Sequence, residues 1–301
     1  NRMLEIEAEF LEQVILRLRG RGIELVSMDE VHRRLVERDF SRYFAAFTSD
    51  DGYRDNLEYA WPVLKRHQVP ITLYIATSFP DRLGELWWVA LEQVVAKSDR
   101  IVVEMNGRPQ FFDCSSVGGK LQAFAELYAW LRGLNGEVEL RRAIRDLAAR
   151  YGVDLKAPCK DLCMNWAEIA KMAEDPLCTI GAHTINHVAL RKESDETARM
   201  EMKRSADIIE AAFGKRPEHF AYPYGNPAAA GPREFALAKE LGFKTAVTTY
   251  PGVLSSSHGN RLTALPRITL NGEFQALRYV DVLISGVPFL FAGKVGYAEA
   301  A

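Results

Sequence analysis

Cysteine is scarce in this sequence: the 301 residues contain four, at Cys114, Cys159, Cys163 and Cys178. So few cysteines at this length do not build the disulfide framework that stabilises small secreted proteins. Cys159 and Cys163 are close in sequence, but no second pair accompanies them to complete a structural zinc site. The thiols are therefore predicted to be free, either in the core or in loops.

An excess of charge of one sign is also missing, because 38 Lys and Arg residues face 40 Asp and Glu residues, for a formal net charge of −2. A nucleic-acid-binding protein needs positive charge to neutralise phosphates, so nucleic acid is not an expected partner. The glycine-rich patterns GxGxxG and GxxxxGK[ST] do not follow any predicted strand either. The sequence therefore does not support a nucleotide-binding protein.

No apolar run reaches the roughly 20 residues that cross a bilayer. The longest, Val282–Gly293, is interrupted by glycine and proline. The N-terminal residues lack the basic-then-apolar layout of a signal peptide, so the expected location is cytoplasmic, with a leader upstream of Asn1 left open. The apolar segment Val282–Phe291 is expected to cover the bottom of a barrel. A dimer face and a membrane-surface contact are the alternatives.

Apolar strand candidates alternate with helical stretches along most of the chain. Tyr43–Phe47, Pro70–Ala76 and Cys178–His183 are predicted strands, and later candidates lie near 219–222, 245–249 and 265–270. Apolar strands separated by helices indicate a parallel sheet that is buried on both faces. With about six to eight such units, an α/β protein with a (β/α) barrel is favoured over an open sheet.

The regular alternation stops between about residue 84 and residue 163. This stretch has a Trp87–Trp88 pair, a predicted hairpin turn at Asn106–Gly107 and two helical segments. No Gly/Ser/Pro-rich linker brackets it, so it is predicted to be an insertion within a single domain of residues 1–301. Trp87 and Trp88 are candidates for stacking on a substrate, while packing inside the insertion is the favoured alternative.

Three polar clusters fall at the C-terminal tips of predicted strands, where barrel enzymes carry their reactive groups. Each cluster alone has an ordinary explanation, a tight turn for two of them and a capped helix start for the one with two histidines. The clusters are Asp50-Asp51-Gly52, His183-Thr184-Ile185-Asn186-His187 and Tyr222-Pro223-Tyr224-Gly225.

Taken together, the clusters suit one kind of chemistry. Two imidazoles and one carboxylate form the three-ligand set of an open catalytic zinc centre, with room left for water. A metal ion there lowers the pKa of water and polarises a carbonyl group. The second carboxylate beside the ligand can accept a proton. The combination predicts a metal-dependent hydrolase.

The clusters resemble the motifs of the polysaccharide deacetylases, which are the carbohydrate esterase family 4 or NodB-homology group. Thr48-Ser49-Asp50-Asp51-Gly52 is similar to the family's Thr-Phe-Asp-Asp-Gly, and His183–His187 matches its His-[Ser/Thr]-x-x-His. Tyr222–Gly225 is similar to the variant of the third motif, Arg-x-Pro-Tyr, found in exopolysaccharide and capsule-related members. The resemblance covers most of residues 1–80 and 164–270 and skips the insertion.

This resemblance implies a distorted (β/α)7 barrel of the NodB type with a helical insertion. It also implies that Asp51, His183 and His187 hold one divalent metal ion, preferentially Zn2+, with Co2+ and Ni2+ as alternatives. By the same resemblance Asp50 is the general base, and the backbone N–H of Tyr224 helps to hold the oxyanion.

Tyr222, Pro223 and Tyr224 are expected to line the substrate site. Ala221 occupies the position where the family has an arginine that orients the base, and Arg267, at the end of a later strand, is expected to take that role. The family's general-acid histidine has no clear counterpart. Three alternatives are left open: His258 in a serine-rich loop, a residue upstream of the sequence, and the absence of a general acid.

The sequence thus predicts an enzyme of carbohydrate metabolism, a hydrolase that removes N-acetyl groups from an acetylated polysaccharide or oligosaccharide. An exopolysaccharide is the expected context, and the protein is expected to be a monomer or a homodimer. Two alternatives are an allantoinase-like hydrolase of small amides and a carbohydrate-binding or scaffold protein that retains the site but has lost turnover.

Overall fold

The computed structural model describes residues 5–105 and 107–292, which divide into two compact units. Residues Arg82–Cys163 form one unit, which we call the insertion unit, and the residues on either side of it form the barrel unit. The predicted insertion was placed at about 84–163. The assignment of the whole chain to a single domain stays a prediction.

The chain alternates between strands and helices, as the apolar pattern predicted. The strands are β1 (Glu24–Leu25), β2 (Phe44–Ala45), β3 (Phe47–Ser49), β4 (Ile71–Ile75), β5 (Arg100–Met105), β6 (Arg108–Asp113), β7 (Cys178–Ala182), β8 (His219–Ala221), β9 (Thr245–Pro251) and β10 (Leu265–Arg267). The α-helices are α1 (Ala8–Gly20), α2 (Met28–Glu37), α3 (Trp61–Arg66), α4 (Trp87–Lys97), α5 (Val117–Gly133), α6 (Glu137–Arg150), α7 (Ala157–Leu162), α8 (Trp166–Ala173), α9 (Asp195–Phe213), α10 (Pro232–Glu240), α11 (Leu277–Ile284) and α12 (Val287–Ala292).

The barrel unit is built on one curled parallel sheet. Six strands follow one another in the order β10-β9-β8-β7-β4-β3. The separate pair β1–β2 is also parallel, and β2 continues into β3 after the single residue Ala46, so that β1 adds a seventh strand position. Within the described residues β1 and β10 form no ladder with each other. The sheet is therefore a half-barrel, and the predicted α/β class with a distorted barrel is confirmed.

Successive side chains of each strand face opposite sides of this sheet. Leu73 and Ile75 of β4 belong to the large core formed with the outer helices α3, α8 and α9. Tyr74, between them, faces the inside, where it packs with Ala221 and Val247. Helix α2 contributes Met28, Val31 and Leu35 to this inner cluster, so it packs against the inner face of the sheet.

The helices begin and end where the sequence signals placed them. The Ser27 and Ser194 side chains accept hydrogen bonds from the backbone N–H of Glu30 and Thr197 and so cap α2 and α9. Helix α9 ends at Gly214, whose φ of 70° is left-handed and therefore suits glycine. Capping fixes the length of each helix and with it the place where the next strand begins.

The insertion unit contains an antiparallel hairpin, β5–β6, and the helices α4 to α7. The predicted turn residue Asn106 lies outside the described residues, but the strands on both sides of it pair as a hairpin should. Trp87 is fully buried and Trp88 is 9% exposed, and their rings meet edge to face. Trp87 also packs on Tyr128 of α5.

Helix α11 packs on α1 of the barrel unit through Val280 and Ile284, of which Ile284 belongs to the apolar segment Val282–Phe291. Val280 of α11 is buried against Phe10, Val14 and Leu18 of α1. Val282, Val287 and Leu290 are exposed, and the side chains from Phe291 onward lie outside the described residues. Among residues 5–105 and 107–292, the helices are all too short or too polar to cross a membrane.

Gly181 on β7 gives space to an inward-facing ring, which allows a test of the half-barrel packing. A Cβ at Gly181 would lie 2.4 Å from Tyr74 Cδ1 and 3.0 Å from the His219 carbonyl oxygen. We expect Gly181→Ala to lower the free energy of unfolding by roughly 1–3 kcal/mol, as overpacked cores do. Urea unfolding checks this. The control is Gly20→Ala, because a Cβ at Gly20 meets nothing within 4 Å. An equal effect of both substitutions would contradict the packing argument.

Candidate active site

The first cluster lies where the chain leaves β3 and turns sharply. Asp51 and Gly52 both have left-handed backbones, with φ of 70° and 74°, and the N–H of Gly52 donates to the carbonyl oxygen of Asp50. This turn sends the two neighbouring carboxylates in different directions. Asp51 faces two histidines and Asp50 faces an arginine, so each carboxylate has a separate chemical environment.

The second cluster is the loop that follows β7. His183 Nε2 lies 3.5 Å and His187 Nε2 lies 3.2 Å from Oδ1 of Asp51. On its other side His183 Nδ1 lies 2.7 Å from the carbonyl oxygen of Ala221. A carbonyl oxygen can only accept, so Nδ1 carries the proton and Nε2 keeps its lone pair. His183 is thus held in the tautomer that a metal ligand needs.

These three residues fit a divalent metal ion. Each offers one ligand atom, and the ligand atoms lie within 4.8 Å of one another. Over the described residues, the buried Oδ1 of Asp51 has no hydrogen-bond partner of acceptable geometry, although two imidazoles face it. A buried carboxylate oxygen without a donor suits a cation. Two imidazoles and one carboxylate are the donor set of open zinc sites.

The electrostatics of this pocket favour positive charge. Burial lowers the pKa of His183, but the adjacent carboxylate of Asp51 and the charge of Asp50 outweigh burial and raise the pKa above its ordinary value. The same carboxylates that increase proton affinity also attract a metal cation, which competes with the proton for Nε2.

Arg267, at the end of β10, forms a bidentate ion pair with Asp50. Nη1 donates to Oδ1 at 2.8 Å and Nη2 donates to Oδ2 at 2.7 Å. Its Nε donates to the carbonyl oxygen of Thr248 at 2.8 Å, which fixes the plane of the fork. Burial raises the pKa of Asp50, but the charge and hydrogen bonds of Arg267 and the two histidines outweigh it and lower the pKa to about 2. Asp50 is therefore a carboxylate at neutral pH.

The third cluster follows β8. Tyr224 has a φ of 61° and its ring meets that of His187 edge to face, with centroids 4.6 Å apart. Thr249 Oγ1 donates to the carbonyl oxygen of Tyr224 at 2.6 Å, and the Thr249 N–H donates to the carbonyl oxygen of Gly225 at 3.0 Å. A Cβ at Gly225 would lie 2.6 Å from the Thr249 nitrogen, so this position requires glycine. The loop is thus fastened to β9 with Tyr224 beside the histidine.

Left-handed backbone is concentrated at this site. Within residues 5–105 and 107–292, seven non-glycine residues have positive φ, and four of them are Asp51, Thr184, His187 and Tyr224. For a β-branched residue such as Thr184, with φ of 65°, this conformation is a genuine outlier. Strained backbone gathers where the surroundings force a geometry that function requires. The strain marks these three loops as the candidate active site independently of their side chains.

Two groups of predicted substrate residues are corrected by their positions. Tyr222 is 1% exposed and faces the outer side of the sheet, where its ring packs on Phe235 and its hydroxyl donates to the Thr263 carbonyl oxygen at 2.8 Å. Strand alternation explains this, because the inward-facing neighbour is Ala221. Pro223 is buried as well. Trp87 and Trp88 are buried too, which supports the packing alternative for them.

The candidate general acid His258 is hydrogen-bonded within its own loop. It lies in a short 3-10 helix, Ser256–Asn260, and its Nδ1 accepts from the backbone N–H of Ser255 at 3.0 Å. Burial lowers its pKa, and the nearby charge of Arg261 lowers it further, against the effect of the Ser255 hydrogen bond. The general acid stays unassigned.

Sequence reasoning missed the residues that support the histidine loop. Thr184 Oγ1 accepts from the N–H of His187, and Glu201 of α9 accepts three hydrogen bonds from the loop between the histidines. Glu201 did leave a signal, since it is a lone acidic residue on the apolar face of a helix. The role of the Ala221 carbonyl oxygen left none, because backbone atoms are the same in every residue.

The fold and the site together define an α/β half-barrel protein with an Asp-His-His centre and a separate Asp-Arg pair. Residues 143–246 match the family model described as polysaccharide deacetylase. This range includes the second and third motifs, while the first lies before it. This match confirms the predicted resemblance to polysaccharide deacetylases. Among curated proteins, no sequence matches this chain.

Solved structures share the fold. The chain is similar to the deacetylase PplD of Streptococcus pyogenes in complex with acetate, at 17% identity and a TM-score of 0.59, covering 94% of this chain and 89% of that one. It is similar to IcaB from Ammonifex degensii, at 15% identity and a TM-score of 0.54, covering 93% and 88%. It is also similar to the BpsB deacetylase domain from Bordetella bronchiseptica, at 17% identity and a TM-score of 0.51, covering 85% and 82%. Family match and shared fold support carbohydrate deacetylation.

Proposed function

We propose that this protein is a metal-dependent hydrolase that removes N-acetyl groups from an acetylated polysaccharide or oligosaccharide. The observation that carries the proposal is that two adjacent carboxylates have different partners. Asp51 faces the two imidazoles, while Asp50 is held by Arg267 and stays ionised. A metal-dependent amide hydrolase uses a cation site and a separate base. The role in exopolysaccharide metabolism stays a prediction.

In this proposal Asp51, His183 and His187 hold one divalent metal ion, with zinc as the preferred ion. When bound there, the ion supplies Lewis acidity that activates water and polarises the acetamide carbonyl. The donors are a carboxylate and two imidazoles whose ligand atoms already converge. Little rearrangement of the protein is needed for binding, which favours affinity.

Asp50 accepts the proton of the attacking water. Its two oxygens already accept from Arg267, which orients the carboxylate and leaves its remaining lone pairs for water. The backbone N–H of Tyr224 donates to the acetamide oxygen as negative charge develops there. The Thr249 hydrogen bonds to the carbonyl oxygens of Tyr224 and Gly225 hold the two following peptide groups and so restrict the loop that carries this N–H.

Metal removal and reloading test this function. We expect the chelator-treated protein to release no acetate from N-acetylglucosamine oligomers, and the protein reloaded with one equivalent of Zn2+, Co2+ or Ni2+ to release it. The measurement is acetate release beside metal content. The alternative substrates are small amides such as allantoin, incubated with the same preparations.

Three results would count against the proposal. A wild-type protein that binds one metal ion but releases no acetate from N-acetylated oligosaccharides contradicts the enzymatic function. Hydrolysis of a small amide alone contradicts the substrate class. Acetate release that survives complete metal removal contradicts the role given to Asp51, His183 and His187.

A further inference from the structure

We infer that Glu201 is a positioning residue for the two histidines: it anchors the loop between them, so that both Nε2 atoms face Asp51. The inference rests on the proposed function, because it concerns the metal affinity of that same site. Glu201 contacts neither Asp51 nor the histidine rings in the hydrogen bonds of the structure. It acts through the loop alone.

The contacts of Glu201 are unusually complete for one side chain. Its Oε2 accepts from the backbone N–H groups of Ile185 and Asn186, both at 2.9 Å. Its Oε1 accepts from Asn186 Nδ2 at 2.7 Å. Charge-assisted hydrogen bonds of this kind are among the stronger ones in proteins. All three donors belong to the residues that separate His183 from His187.

Burial makes these contacts necessary. Glu201 is 2% exposed and sits on the apolar face of α9, between Ala198, Met202 and Ser205. A carboxylate placed among apolar side chains is costly unless its oxygens are hydrogen-bonded. The loop is the source of those bonds, so loop and helix hold each other in one arrangement.

The loop needs such an anchor because its backbone is strained. Thr184 and His187 have φ of 65° and 55°, and they flank the two residues that Glu201 holds. On the opposite side, the N–H groups of Thr77 and Ser78 donate to the carbonyl oxygens of Thr184 and Ile185. The loop is therefore held from the tip of β4 and from α9 at once. Release of one side allows the strained residues to relax, and His187 turns with them.

Substitution of Glu201 separates a positioning role from a merely structural one. We expect Glu201→Ala to weaken Zn2+ binding by about a hundredfold and Glu201→Gln by about tenfold or less, within the range known for outer contacts of metal ligands. Glutamine is milder because its oxygen can accept from both backbone N–H groups while a rotated Asn186 amide accepts from its nitrogen. Zn2+ affinity is measured by competition with a chromophoric chelator.

Two further readouts report on the loop itself. The visible absorption spectrum of the Co2+-loaded protein is expected to change in Glu201→Ala, since the ligand geometry changes. The thermal midpoint of metal-free protein serves as the folding control. The matched control variant is Glu196→Gln, the same chemical change on the exposed side of α9, which is expected to bind Zn2+ as wild type does.

An exchange of the two partners keeps the test independent of folding. Asn186 is exposed, and Asn186→Asp places a second carboxylate against Glu201, so we expect about tenfold weaker Zn2+ binding. Adding Glu201→Gln places an amide donor at position 201 opposite the carboxylate acceptor at position 186. The double variant should therefore recover most of the Zn2+ affinity. Recovery supports the inference, because a general loss of packing is not reversed by a second substitution.

The outcomes distinguish this inference from the function on which it rests. If wild type binds no metal ion, the proposed function fails and this inference falls with it. If wild type binds Zn2+ and releases acetate while Glu201→Ala binds Zn2+ equally well, only the inference is overturned. If Glu201→Ala does not fold, unchanged Zn2+ affinity in Asn186→Asp overturns it instead.

Discussion

Asp50→Asn is expected to lower kcat for acetate release by about a hundredfold to ten-thousandfold while Zn2+ binding remains near that of wild type. The range is that of a lost general base. Asparagine keeps the shape of the side chain but cannot accept the proton of water. The turn at Asp51 directs the two side chains apart, so that Asp50 contacts Arg267 while Asp51 faces the two histidines. Kinetics and a Zn2+ titration on the same preparation measure both effects.

Two neighbouring carboxylates provide the controls. Asp51→Asn is expected to show the opposite profile, with weakened Zn2+ binding as the primary defect. Asp55→Asn, on an exposed residue a few positions further along, should leave both properties unchanged. If Asp50→Asn loses Zn2+ as strongly as Asp51→Asn does, the assignment of separate roles to the two residues is wrong.

Arg267→Met is expected to lower the free energy of unfolding of the metal-free protein by about 3 kcal/mol, the low end for breaking a buried ion pair. The side chains of Arg267 and Asp50 are 16% and 27% exposed, and removal of the guanidinium leaves the carboxylate without its cation. Urea unfolding gives the value, provided that the slope m is unchanged. Activity should also fall, since Asp50 loses its orientation.

A second bidentate pair in the same chain is the matched control. Arg17 donates through Nε and Nη2 to the two oxygens of Asp281, at 3.0 and 2.5 Å, but its side chain is 42% exposed. Arg17→Met should therefore cost far less stability, as solvent screens such pairs. In the Arg267→Met/Asp50→Asn double variant, the loss should be smaller than the sum of the single losses. Additive losses would show that the pair is not coupled.

The fold could be predicted from the sequence because two independent signals, the apolar strands and the helix-capping residues, agreed. Apolar strands such as Pro70–Ala76 gave the parallel sheet, and capping residues such as Ser27 and Ser194 gave the helix starts. The number of strand pairs that close the sheet could not be predicted, since β1 and β3 are only two or three residues long.

The convergence of Asp51, His183 and His187 was predictable for a different reason. Asp51, His183 and His187 are rare residue types at strand tips, and their chemistry restricts what they can do. Arg267 was predictable from its strand end, although the resemblance placed the arginine at position 221. The bidentate contact with Asp50 depends on strands from opposite ends of the chain coming together, which composition and spacing do not show.

Side-chain direction caused the errors. Tyr222 and Tyr224 are two residues apart and look equivalent in a Tyr-Pro-Tyr-Gly motif. The strand ends at Ala221, so Tyr222 continues the outward direction of the sheet and Tyr224 follows a turn that reverses it. The glutamate that anchors the histidine loop was overlooked because one buried acidic residue in a helix is ordinary until its partners are known.

The left-handed backbone at Asp51, Thr184, His187 and Tyr224 has a consequence for directed evolution. A library selected for heat resistance alone would enrich glycine or asparagine at Thr184 and Tyr224, because glycine and asparagine adopt positive φ with less strain than threonine or tyrosine. Each such change removes a contact that steadies His187 or the peptide beside it. At Asp51 and His187 the same relief deletes a ligand. Selection for robustness and selection for turnover therefore diverge at these four positions, which are the ones to hold fixed in any stabilised variant.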